Sequence, residues 1–123
     1  MADYRSLNRD GLQNYVHKLK EPKPNRDNNN SATFIQNVED TFNELQELLI
    51  KKHLDYGPKN IANSPGGALN GLRVRMHDKL ARINHLIDSG VKPENESLHD
   101  SFLDLANYAI IAQLVIRGEW PND

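Results

Sequence analysis

Three stretches of this chain place apolar residues at steps of three and four, and each is closed by glycine or proline. That pattern limits the fold more than any other feature, because it describes amphipathic helices and leaves almost nothing that alternates like a strand. The first stretch runs from about Thr33 to Asp55, with Phe34, Val38, Phe42, Leu45 and Leu49 as its expected buried stripe and Gly57-Pro58 as its stop. Thr33 and Gln36 form a T-x-x-Q capping signal at its start. The second begins between Pro65 and Leu69 and ends before Gly90, carrying Leu69, Leu72, Met76, Leu80, Ile83 and Ile87. The third runs from about Asn95 to Arg117 through Leu98, Phe102, Leu105, Ala109, Ala112 and Ile116, with Gly118 and Pro121 behind it. At about 1.5 Å of rise per residue, each spans roughly 30 Å.

Ahead of them, residues 1–20 can supply one short helix with Leu12, Val16 and Leu19 on a common face. Residues 21–30 hold two prolines, four asparagines and nothing to bury, and read as a linker. The expectation is an all-α protein: a helical bundle of three long helices plus a short N-terminal helix. Residues 1–31 form the leading helix and linker, and 32–123 the domain proper. A chain of 123 residues suits one hydrophobic core and not two.

Composition removes several functions. The 17 acidic residues against 15 Lys plus Arg leave a formal charge of -2. Direct nucleic-acid binding through bulk charge is therefore not expected. There is no cysteine, which excludes disulfides, thiolate metal sites and a cysteine nucleophile. No apolar run is long enough to span a bilayer and no secretory signal is evident, so a soluble, cytoplasmic protein with no membrane partner is expected. The five histidines form no zinc motif, and no serine sits in a triad pattern.

The charges that remain are sorted along the helices. Asp40, Glu44, Glu47 and Lys51 step by four, three and four on the first, so Glu44 and Glu47 make an E-x-x-E pair on one face. Glu96, Asp100, Asp104 and Asn107 form a second ridge on the last. Carboxylates gathered without cations repel unless something neutralises them, and Mg²⁺, with its preference for oxygen ligands, is the natural candidate. Acidic residues on helices are more often plain solvated surface. Asp104 is the exception, because it lies within Phe-Leu-Asp-Leu-Ala-Asn-Tyr-Ala-Ile-Ile-Ala, where a carboxylate should be buried and therefore partnered. Asn107, one turn on, shares the argument more weakly. The middle helix contributes Arg75, Lys79 and Arg82 at steps of four and three, a ridge that could pair with the acidic ones or hold phosphates. Between the first two helices lies a Gly- and Pro-containing stretch from Tyr56 to Ala68. It is long for a helix–helix connection, as a binding loop or lid would be, but lacks the P-loop pattern. Lys52 and Tyr56 stand at its entrance, Tyr56 being able to stack on a base or simply to pack.

Three segments taken in order, Lys52-His-Leu-Asp-Tyr-Gly57, Asp78-Lys-Leu-Ala-Arg-Ile83 and Asp100-Ser-Phe-Leu-Asp-Leu-Ala-Asn-Tyr108, resemble the nucleotide modification associated domain 1 family. This is a group found largely in bacteriophages and bacteria. It is in turn similar to the MazG-like all-α NTP pyrophosphatases, and the resemblance covers roughly residues 34–117. It implies a MazG-like helical fold, a bacterial or phage-infected host cell, and a homo-oligomer, a dimer or higher. It also implies Mg²⁺, with Mn²⁺ as an alternative, held by E-x-x-E on one helix and E-x-x-D on a later one. Glu44 and Glu47 match the first motif and Asp104 the end of the second, and Asn107 matches a polar position one turn later. The position three before Asp104 is Ser101, a departure for which Asp100, four before, offers a carboxylate.

The function these readings lead to is Mg²⁺-dependent hydrolysis of a (deoxy)nucleoside triphosphate, modified ones included, to monophosphate and pyrophosphate. Glu44, Glu47 and Asp104 would be catalytic, and with Asp100 would hold the metal. Lys79 and Arg82, with Lys52, would neutralise phosphates, while Tyr56 and Asn107 would contact base or sugar. Two alternatives stand beside it. One is a nucleotide-binding protein without turnover, a sensor or sponge, which the Ser101 departure favours. The other is a structural helical interaction domain whose acidic ridges are solvated.

Overall fold

A computed structural model of the chain describes residues 30–122, all of its regular structure being helical. The expected N-terminal helix and nearly all of its linker lie outside the described residues. The helices are α1 (Ser31–Tyr56), α2 (Lys59–Ala62), α3 (Ala68–Ser89) and α4 (Leu98–Ile116). The chain divides into two compact units, Met1–Asp55 and Tyr56–Asp123.

In the first unit, α1 starts earlier than its expected cap. The Asn30 side chain accepts a hydrogen bond from the Thr33 N–H at 2.8 Å, and the Asn30 carbonyl accepts from Phe34. Asn30 is thus the N-cap and Thr33 lies buried inside the first turn. Gln36, expected to reach back to the cap, donates instead to Asp40 at 3.1 Å. The stripe expected to be buried is largely exposed. Phe34 is 66% and Phe42 61% accessible, and with Val38 and Leu45 they line an apolar groove of about 300 Å³. The buried apolar residue of α1 is Ile50.

The second unit is organised around α3 and α4, which lie against each other, with α2 resting on α3. The connection from Tyr56 to Ala68 is not an open loop. It contains α2, whose Asn60 carbonyl accepts from Arg75 on α3 at 3.0 Å and from Ser64 at 2.9 Å. Gly71 on α3 permits this approach, since a Cβ there would stand 2.4 Å from the Ser64 side chain. The Trp120 indole N–H, beyond α4, donates to the Pro58 carbonyl at 3.0 Å and ties the tail to the start of α2.

α3 begins and ends where its turn signals place it. Gly90 follows its last residue in the left-handed conformation that a side chain disfavours, and its N–H bonds to the Leu86 carbonyl. α4 begins three residues later than expected. Ser97 is its N-cap and makes a reciprocal capping box with Asp100. Glu96 therefore lies outside the helix, on the connection from α3.

The core of this unit is Ile61, Leu72, Ile83, Leu86 and Ile111. Leu69, Leu80 and Ile87, expected inside, are exposed, as are Phe102 and Ile116 on α4. α4 buries Ser101, Asp104, Asn107 and Ile111 instead, a face turned by one residue from the predicted stripe. Apolar residues are spread over several sides of the helix, so hydrophobic periodicity alone does not select the face. The polar partners on α3 and the α3–α4 connection select it.

Candidate functional site

The buried row on α4 is mostly polar: Ser101 is 0%, Asp104 6% and Asn107 5% exposed. Asp104 is enclosed as its apolar flanks require, and a carboxylate so enclosed needs a counter-charge. Lys79 on α3 supplies it, with Nζ 2.9 Å from Asp104 Oδ2. The same ammonium lies 2.5 Å from Glu96 Oε1. The other oxygen of Glu96 stands 3.1 Å from Arg82 Nε, and an Arg82 terminal N–H also donates to the Glu96 backbone carbonyl. Glu96 so holds two of the three cations of the ridge, Lys79 and Arg82. Ser101 fixes Glu96 in turn, its hydroxyl lying 2.8 Å from Oε2 and 3.1 Å from the Ser97 carbonyl.

Two carboxylates, two cations and a buried hydroxyl make a group whose formal charge sums to zero. Burial acts to lower the pKa of Lys79, but its hydrogen bonds to Glu96 and Asp104, and their negative charges, outweigh this, so the pKa lies above its ordinary value. The ammonium is charged across the neutral range. Among the described residues no three histidines or acidic side chains come together as a ready metal cage.

The other predicted residues are placed as follows. Asp100 is exposed, and its carboxylate accepts from the Ser97 N–H at 3.3 Å within the cap. The carboxylate sharing Lys79 with Asp104 is that of Glu96, which the sequence put on the same ridge without a role. Arg75, third member of the basic ridge, braces α2. Glu44 and Glu47 are half-buried on α1 in the first unit. Lys52 and Tyr56 are exposed near the end of α1. Between them His53 is half-buried, and burial lowers its pKa.

Glu96 and Ser101 are the residues that sequence reasoning passed over. A signal for them existed in Ser97-x-x-Asp100, which sets the helix start and leaves Glu96 free to turn back toward α3.

The model of the nucleotide modification associated domain 1 family matches residues 52–116. The chain belongs to that family. The span that defines membership in the nucleotide modification associated domain 1 family contains all three motifs noted in the sequence and every member of the Lys79 group. Glu44 and Glu47 fall before it. No match is found among curated proteins, and none among solved structures. Membership associates the chain with nucleotide modification, and no described helix is long and apolar enough to cross a membrane.

Proposed function

We propose that the chain is a Mg²⁺-dependent nucleotide pyrophosphohydrolase, converting a (deoxy)nucleoside triphosphate, modified ones included, to monophosphate and pyrophosphate. The observation that carries this reading is the buried Asp104 paired with Lys79, with Arg82 joined to them through Glu96, inside the stretch that defines the family. The donor chemistry fits a hard divalent cation: oxygens of Asp104 and Glu96 both contact one ammonium, so that point already favours positive charge. Asp104 would hold the ion in this unit. Glu44 and Glu47 enter through the MazG resemblance, as its E-x-x-E pair.

When bound, Mg²⁺ supplies polarisation of a phosphoryl oxygen and a more acidic water. Lys79 and Arg82 neutralise phosphate oxygens, Lys79 as a compact point charge and Arg82 as a planar fork. Ser101, fully enclosed, donates to Glu96 and holds it beside the two cations when no ligand is bound. Asn107, on the same face as Asp104, offers an amide to sugar or base, and Tyr56 an exposed ring. Release of pyrophosphate from a panel of deoxynucleoside triphosphates, with and without Mg²⁺, tests the assignment. Turnover should need the metal and should vanish in Asp104→Asn and Glu47→Gln variants that keep their helical circular dichroism. Unchanged turnover in both variants would sink it.

A second reading, a nucleotide binder without turnover, is favoured by two features. Asp104 and Glu96 already have cationic partners, and Ser101 replaces the carboxylate of the MazG-like motif. It predicts thermal stabilisation by nucleotide and no product in the same panel.

A further inference from the structure

Glu96 has an unusual set of contacts for a residue between two helices. One oxygen meets Lys79, the other meets Arg82 and Ser101, and its backbone carbonyl accepts from Arg82 again. A carboxylate that reaches an ammonium with one oxygen and a guanidinium with the other presents the same face that a phosphate group presents to such a pair. Its location matters as much. Lys79 and Arg82 are fixed one turn apart on α3, and Ser101 and Asp104 are fixed on α4, but Glu96 precedes the α4 cap at Ser97. Its side chain is 25% exposed and has solvent to swing into, whereas that of Asp104 is 7% exposed and enclosed.

We infer that Glu96 is an internal stand-in for a bound phosphate, occupying Lys79 and Arg82 until an oxyanion ligand displaces it. This rests on the proposed role of those two cations toward nucleotide phosphates and adds the competitor that controls them. The site takes a phosphate or diphosphate group, and its apparent affinity is reduced by the fraction of molecules in which Glu96 is seated. Ser101 sets that fraction, because its hydroxyl holds Glu96 in place.

The test is binding of inorganic pyrophosphate to the full chain by titration calorimetry, in chelator and without metal. Glu96→Gln keeps the shape and removes the competing charge, so it should bind pyrophosphate about tenfold more tightly if Glu96 is seated roughly nine times in ten. Ser101→Ala should move affinity the same way by a smaller factor, and it carries the test if Glu96→Gln loses its helical circular dichroism. Lys79→Met in the Glu96→Gln background should remove the gain. A folded Glu96→Gln chain that binds pyrophosphate no more tightly than the parent would overturn the inference, as would a Ser101→Ala chain of unchanged affinity where Glu96→Gln does not fold. A purely structural Glu96 gives that result, since its loss would lower stability and leave affinity alone. The nucleotide panel is independent: tighter pyrophosphate binding without turnover would retain this inference and remove the pyrophosphohydrolase.

Discussion

At Lys79 the protein brings its two kinds of charge into contact, and the energetics there are lopsided. Asp104 is far more enclosed than the lysine, so removing the ammonium strands a buried carboxylate. Lys79→Met should therefore destabilise the chain by roughly 3 kcal/mol in urea unfolding. Adding Asp104→Leu should recover much of that, because the stranded charge goes with it. The sign of the pH dependence follows from the raised pKa of Lys79. Its contribution is fully present below the ordinary lysine pKa and is lost as pH climbs through the raised one. Unfolding followed from neutral to strongly alkaline pH should show this loss in the parent and not in Lys79→Met.

Burial of Asp104 was legible from its apolar neighbours alone, and so was the pairing of its ridge with Arg and Lys as one of two open readings. The identity of the second carboxylate was not. Glu96 and Asp100 differ by four positions, and which one turns toward Lys79 depends on where α4 begins. A capping box at Ser97 gives Asp100 to the helix start and Glu96 to the ion group.

Among the elements, α3 was placed closely by its turn signals, and α4 ends where Gly118 places it but starts at a capping box, Ser97 with Asp100, three residues after the expected start. The Ser97 cap is worth about 1 kcal/mol in the usual range for such residues, and Ser97→Ala should lower the unfolding free energy by that amount. Because the same cap positions Glu96, the variant should also tighten pyrophosphate binding in the calorimetric test. The α2 turn gives a sharper steric prediction. Gly71→Ala would set a Cβ against Ser64, and the resulting shift of α2 from α3 should lower the melting temperature, at a cost of about 1–3 kcal/mol. Gly71 stands within a helical apolar pattern, where sequence shows only a weak helix former. The close approach that requires it comes from α2, an element the sequence presented as part of a loop.

For the whole molecule, the surprising quantity is the apolar surface left exposed. Phe34, Ile35 and Phe42 on α1, and Val74, Leu80 and Phe102 in the second unit, are accessible in the single chain. Isolated apolar residues at a surface are ordinary, but stripes of them at helical spacing are the kind of surface that association covers. The homo-oligomer expected from the MazG resemblance thus has a physical motive. Sedimentation velocity should give a mass above that of one 14.0 kDa chain. Phe34→Ser with Phe42→Ser should reduce it, if the α1 face is the one covered, and a monomeric parent would remove the expectation.

What the sequence determined by itself was local: the helical class, the α3 boundaries and the enclosure of Asp104. Those follow from periodicity, from Gly and Pro at the ends, and from the cost of a bare carboxylate among apolar neighbours. Only the tertiary structure decided which side of α4 faces α3, that the Tyr56–Ala68 stretch folds back as α2, and that Glu96 completes the group on Lys79 and Arg82. These are choices between faces of similar hydrophobicity. They are settled by ion pairs and hydrogen bonds between residues far apart in the chain, such as Lys79 with Asp104 and Arg75 with Asn60, which no local pattern encodes.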